Sequence, residues 1–468
     1  MSIIRLAKNV FKTAGLSFAL TALAILAGIA ASLGLSTSAS AAQVTLSSEL
    51  GQDVISTKGG KIYLRLSLKA IRDERSERDR TPVNVALVLD KSGSMKGKRM
   101  EAAKEAARMA LSRLGRDDYV SLVAYNHNVN VLSRAGRVSG SYDSLRDQIN
   151  RLTADGTTAL YAGVDEGGRQ VRDYYSDRRV NRVILMSDGL ANVGPSSPAD
   201  LAKLGQELGA KGISVTTIGL GLSYNEDLMS RLALASDGNH AFAKTPDDLV
   251  DIFNSEFGDT LSIAAQDIEI IIDCHDGFRP KRILGRQAEI NGSRARVKLN
   301  QLTGGAERYL IVELEAPEGK AVSAHDVADV NVRYLDLDSG KREARKSKVQ
   351  AGYSPDESKV KASVNKSVMS QVTAQVATET SERAVELRDK GDIKGARRLL
   401  QENAAYLKKK RQDLGSGVGA AAPASLGVLD SLEKESAEAA SNLDDSNWQR
   451  QRKAMRYQQH KSKRQQSY

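Results

Sequence analysis

Val83-Asn84-Val85-Ala86-Leu87-Val88-Leu89-Asp90-Lys91-Ser92-Gly93-Ser94-Met95 begins with an apolar run, Val85 to Leu89, in which only short aliphatic side chains occur. A run of that length, without polar alternation, predicts a strand buried on both faces of a parallel sheet rather than a half-exposed one. Asp90, Ser92 and Ser94 follow at alternate positions of the turn that leaves it, and a helix is expected from near Lys98. In open α/β sheets ligands bind in the crevice outside the carboxyl ends of the strands, so these three side chains can share one crevice. All three offer oxygen.

Two distant stretches extend the pattern. Asp155-Gly156-Thr157-Thr158-Ala159-Leu160-Tyr161 places hydroxyls just before an expected helix, and Ile184-Leu185-Met186-Ser187-Asp188-Gly189 is a second apolar strand ending in a carboxylate. Together the three motifs resemble those of the von Willebrand factor type A domain and its metal-ion-dependent adhesion site: Asp-x-Ser-x-Ser, a threonine loop, and Asp-Gly at a strand end. Alignment on Leu160-Tyr161 selects Thr158 as the threonine, with Thr157 the alternative. The resemblance implies that Ser92, Ser94 and Thr158 coordinate an ion through their hydroxyls, while Asp90 and Asp188 hold it directly or through waters. A donor set of oxygen alone, with no histidine or cysteine in the motifs, fits a hard divalent ion and not zinc or copper. Magnesium is the first expectation, with manganese or calcium the alternatives. Such a set leaves a coordination position for an Asp or Glu of a protein partner. Lys91, inside the first motif, brings a cation beside the crevice or points to solvent.

Outward from this core, residues 82–261 read as alternating strands and helices, which predicts a doubly wound, mostly parallel α/β sheet with helices on both faces. On either side the period changes to two, as in Lys61-Ile62-Tyr63-Leu64-Arg65-Leu66 and Asp267-Ile268-Glu269-Ile270. These flanks, 42–81 (β segment and linker) and 262–353, are expected to form one antiparallel β-sandwich into which the A domain is inserted. Residues 354–414 are rich in alanine, and Gly391-Asp392 divides two apolar helical patterns, so a helical hairpin is expected there. Residues 415–468 read as a flexible linker and a basic tail, in which Arg450, Arg452, Lys453, Arg456, Lys461, Lys463 and Arg464 have no acidic neighbour in sequence.

A chain of 468 residues has room for two to four modules. Arg5, Lys8 and Lys12 precede an apolar segment, residues 14–35, and Ala39-Ser40-Ala41 is an A-x-A cleavage pattern. A signal peptide over 1–41 and a mature start near Ala42 are therefore expected. The alternative is an uncleaved anchor, since the segment approaches the roughly 20 residues that span a bilayer. Both place the bulk of the chain in the periplasm or outside the cell. Cys274 is alone, so no internal disulfide forms and the thiol is expected to be a small buried apolar group. The net charge is +10, much of it in the tail, which could touch an anionic membrane surface. Aromatic residues make up only 4%, and the chain has neither a P-loop nor a base-stacking platform, which argues against nucleic acid as partner. None of the five histidines falls in a catalytic motif, so a binding module rather than an enzyme is expected. The competing reading is an envelope scaffold in which the ion only stabilises and the hairpin and tail make the contacts.

Overall fold

In the computed structural model, which describes residues 44–71, 80–188, 191–221 and 224–467, Val83–Asp90 is a strand with every residue buried. It occupies the middle of a six-stranded sheet ordered Val129–Arg137, Tyr119–Tyr125, Val83–Asp90, Val180–Ser187, Ser214–Leu220, His240–Ala243. All neighbours run parallel except the edge strand Val129–Arg137. The chain builds outward from the central strand on one side, then crosses and builds outward on the other. The crossing leaves a topological switch point between Val83–Asp90 and Val180–Ser187, where a doubly wound sheet opens its crevice.

Strand alternation sorts the central side chains into two layers. Val83, Val85, Leu87 and Leu89 pack with Ala103 and Ala107 of helix Lys98–Arg113, Leu145 of Tyr142–Asn150, and Phe253 and Phe257 of Pro246–Leu261. Ala86 and Val88 face the other way, toward Val164 of Leu160–Asp173, Leu204 of Pro198–Ala210 and Leu232 of Glu226–Ala235. Helix Leu160–Asp173 lies directly on the strands because Gly163 and Gly167, one turn apart, carry no side chain. A Cβ at Gly163 would stand 2.6 Å from Tyr125 Cδ1, and one at Gly167 2.5 Å from Val88 Cγ2.

The flanking segments form two facing sheets, as the period of two predicts. One is ordered Val44–Leu50, Gly60–Ala70, Glu307–Ala316, Arg279–Ile283; the other Glu289–Asn291, Arg294–Thr303, Ile263–Cys274, Val322–Asp336, Arg342–Ser354, Val54–Ser56. Pairing is antiparallel except between Arg342–Ser354 and Val54–Ser56. Leu64, Leu66 and Leu68 from before the α/β domain meet Ile268, Ile270, Val312 and Val330 from after it in one core. The α/β domain is therefore inserted into a sandwich built by both flanks. Cys274 is buried there, its thiol pushed up to about 12 by burial and by Asp273.

The hairpin is present as Lys366–Asp389 and Ile393–Gly415, with the Asp392 carboxylate accepting from Gly395 N–H at 2.8 Å. Val368 and Val372 cover the outer face of the smaller sheet through Ile311 and Leu284. The structure departs from the sequence reading over residues 415–468. Instead of a linker and tail it has helices Pro423–Ser441 and Asp445–Lys463, followed by the short strand Gln466–Ser467, which pairs with Glu307 and Arg308. Four of the tail's seven basic residues have acidic partners far away in sequence. Arg452 bonds Glu226, Asp227 and Asp389; Lys453 bonds Glu226; Arg456 bonds Asp227; Lys463 bonds Glu382. A charge run is solvated only when no fold supplies the opposite charge. The expected leader, 1–41, lies outside the described residues, and among these no helix is long and apolar enough to cross a membrane.

Candidate metal centre

Asp90 ends the central strand and Asp188 follows the strand beside it, so the switch point brings two carboxylates to one crevice, both fully buried. Asp90 Oδ1 accepts the Ser92 N–H at 2.8 Å, and Oδ2 accepts the Ser187 hydroxyl at 2.5 Å. That pairing bends the chain back, so the turn holds Ser92 and Ser94 over the strand end. Their hydroxyls lie 3.1 Å apart, and the Ser94 hydroxyl donates to Asp188 Oδ1 at 2.7 Å. Ser92 is buried and Ser94 exposed, which places Ser94 at the mouth.

The threonine loop is fastened to both carboxylate-bearing segments by main-chain bonds. Gly93 N–H donates to Gly156 O at 2.9 Å and Asp155 N–H to Lys91 O at 2.8 Å. On its other side Thr158 N–H donates to Asn192 Oδ1 at 2.8 Å, and Asn192 N–H returns to Thr158 O at 3.1 Å. Gly156 has φ +73, and a Cβ there would strike the His127 ring, so the loop needs glycine at this position. Thr158 is 3% exposed. The structure thus gathers the segments of all five predicted residues; Gly189, from the Asp-Gly motif, lies outside the described residues.

Electrostatically the crevice is acidic. Burial pushes the Asp90 carboxyl up against the hydrogen bonds from Ser187 and Ser92, and the neighbouring Asp188 charge adds to the push. Two buried carboxylates close together call for a cation. Lys91 does not supply it: its ammonium pairs with Asp155 at 3.2 Å. Among the described residues the cation bonded to Asp188 is Arg99, from the first turn of helix Lys98–Arg113. Its guanidinium bonds Asp188 Oδ2 and, at 3.1 Å, the carbonyl of Ser94. Sequence reasoning missed Arg99. The available signal was a local mismatch, since Lys98 and Arg99 open a helix whose N-terminus carries partial positive charge.

Of the histidines, His127 is exposed beside the threonine loop, whereas His240 and His460 are buried against each other. His240 lies in the edge strand His240–Ala243, and His460 in the C-terminal helix Asp445–Lys463.

Residues 84–255 match the von Willebrand factor type A domain family, and the sheet order, helix layers and switch-point crevice are those of its fold. The chain contains a domain of this type. Among its relatives, the uncharacterised protein sll0103 of Synechocystis is 26% identical over 287 residues, 59% of this chain and 67% of that one. The uncharacterised Escherichia coli protein YfbK is 26% identical over 211 residues, 44% of this chain. The chain spans 36% of YfbK's length. A solved von Willebrand factor type A protein from Catenulispora acidiphila shares the fold at TM-score 0.67 and 18% identity, over 84% of this chain and 96% of that one. This likeness of fold reaches well beyond residues 84–255, into the flanking β and helical parts.

Proposed function

We propose that this chain is an exported, divalent-cation-dependent protein-binding module of the cell envelope, and that its partner presents an Asp or Glu to the bound ion. Domains of this type are generally interaction or adhesion modules. The observation that carries the reading is the convergence of Asp90, Ser92, Ser94, Asp188 and the Thr158 loop at the switch point, two of them buried carboxylates and all offering oxygen. That chemistry fits magnesium, with manganese or calcium as alternatives. Ser92, Ser94 and Thr158 would hold the ion through hydroxyls, and Asp90 and Asp188 directly or through waters. A divalent ion supplies there a coordination position that a partner's carboxylate can fill. The chain's own contribution is to fix Ser92 and Ser94 through Asp90 and to keep the carboxylates out of bulk water.

Calorimetry with magnesium and manganese tests this. One-to-one binding is expected in the wild type, and loss of it in Asp90→Ala and in Ser92→Ala/Ser94→Ala. Capture of an envelope partner should likewise vanish with EDTA. A folded wild type that binds neither ion would overturn the metal-dependent reading.

A further inference from the structure

We propose that Arg99 sets the metal affinity of this site by acting as a resident counter-charge on Asp188 that a divalent ion has to displace. The proposal rests on the metal reading above and adds a residue that the motifs do not contain. Arg99 stands where a helix disfavours a cation, in the first turn of Lys98–Arg113, and its compensation is tertiary. The guanidinium spans the mouth of the crevice, bonded to the buried carboxylate of Asp188 on one side and to the Ser94 carbonyl on the other. It also lies against Gly221, where a Cβ would come within 3.4 Å of Nη2. Asp188 Oδ1 is occupied by the Ser94 hydroxyl and Oδ2 by Arg99. Both oxygens of this ligand and two of the three hydroxyls, those of Ser94 and Ser92, are thus engaged within the protein.

Two consequences follow from charge alone. Without the ion, Arg99 offsets one of the two buried carboxylates and, through the Ser94 carbonyl, ties down the turn that carries Ser92 and Ser94. With the ion, the guanidinium and the metal compete for Asp188 Oδ2 and repel each other, so Arg99 swings away. Its side chain is already 35% exposed, and solvent lies on the open side of the mouth. Pre-organisation is therefore obtained at the expense of affinity. The site is tuned to fill at a higher ion concentration than its oxygens alone would need.

The test is manganese and magnesium titration of the full protein and of Arg99→Gln, with melting curves in EDTA and in saturating ion. Charge-assisted hydrogen bonds of this kind predict that Arg99→Gln binds either ion about tenfold more tightly. In EDTA the same variant should melt below the wild type, and its gain in melting temperature on adding ion should be the larger. Asp188→Asn provides a control: in that background removal of Arg99 should no longer lower the metal-free melting temperature, because the pair is already broken. If Arg99→Gln does not fold, Arg99→Lys replaces it, with a smaller gain in affinity expected from the lost fork geometry. Equal affinity of wild type and variant, within about twofold, overturns the role of Arg99 and leaves the metal site standing. Absence of binding in both folded proteins overturns the metal site itself and makes the Arg99–Asp188 bond a purely structural ion pair.

Discussion

Asp237 is a residue that ordinary propensity would not choose for its place. It adopts a left-handed backbone, φ 55, at the end of helix Glu226–Ala235, a conformation that costs a non-glycine residue free energy. The return comes from its carboxylate, which accepts from Arg308 at 2.7 and 2.8 Å and from Asn300 N–H at 2.8 Å, both in the sandwich, with Arg286 at 3.5 Å. Burial alone would raise its pKa, but Arg308 and Arg286 hold it well below the usual carboxylate range. A depressed carboxylate pKa adds stability that is complete above the unfolded value and is lost progressively as pH falls from there through the lower folded value. Arg308 is itself only 2% exposed, so Arg308→Met strands a charge on Asp237 and should cost about 3 kcal/mol in urea unfolding at neutral pH. A cost below about 1 kcal/mol would show that Arg286 alone sustains the charge. The prediction concerns one pair, yet it spans the join between the A domain and the sandwich.

The C-terminal helix Asp445–Lys463 carries its own reporter. The only tryptophan of the chain, Trp448, lies on it, under the Arg388 guanidinium at 5.1 Å and with Nε1 3.3 Å from Asp389. Farther along, His460 Nε2 accepts the His240 N–H at 3.0 Å, and the two rings meet edge to face. Burial, and then Lys453, lowers His240 to about 3; burial, His240, Arg464 and Lys463 hold His460 well below its ordinary value. Both histidines bind protons more readily in the unfolded chain. Their stabilisation is therefore full above about pH 6.5 and falls below it by about 1.4 kcal/mol per pH unit for each ring, down to about pH 3 for His240. Glu256, raised by burial, opposes this at the acid end. Trp448 fluorescence should report undocking at lower denaturant as pH is reduced from 7 to 5, with roughly half the slope in His460→Gln. An unchanged slope would remove His460 from the account. The same helix shows where the sequence stops being readable. Pro246–Leu261 was legible because Phe253 and Phe257 repeat with the helix period and face the core. Asp445–Lys463 was not, because what makes it a packed helix is Glu226, Asp227, Asp389 and Glu382, none of them near it in sequence. The candidate site divides in the same way. Asp90, Ser92, Ser94, Thr158 and Asp188 each sit beside a strand or helix end that local pattern locates, whereas the bond of Arg99 to Asp188 appears only once two elements meet.

Across the whole molecule, the A domain is contiguous in sequence while the structure that holds it is not. Gly60–Ala70 pairs with Glu307–Ala316, and that strand in turn takes up Gln466–Ser467, so the smaller sheet draws on three widely separated segments. Long-range pairings of this kind form late, because loop closure precedes the contacts that reward it. Refolding from urea should therefore be at least biphasic, with the α/β far-ultraviolet signal recovering before the Trp448 signal; coincident single-exponential recovery by both probes would argue for concerted folding. The little strand at Gln466–Ser467 then acquires a meaning in time as well as in space. Until residues 466–467 dock on Glu307 and Arg308, the A domain stands between two halves of an open clasp. A chain lacking that strand would carry the A domain without the fastening, and Glu307 and Arg308 would be left as an open sheet edge, a backbone row free to pair with another strand.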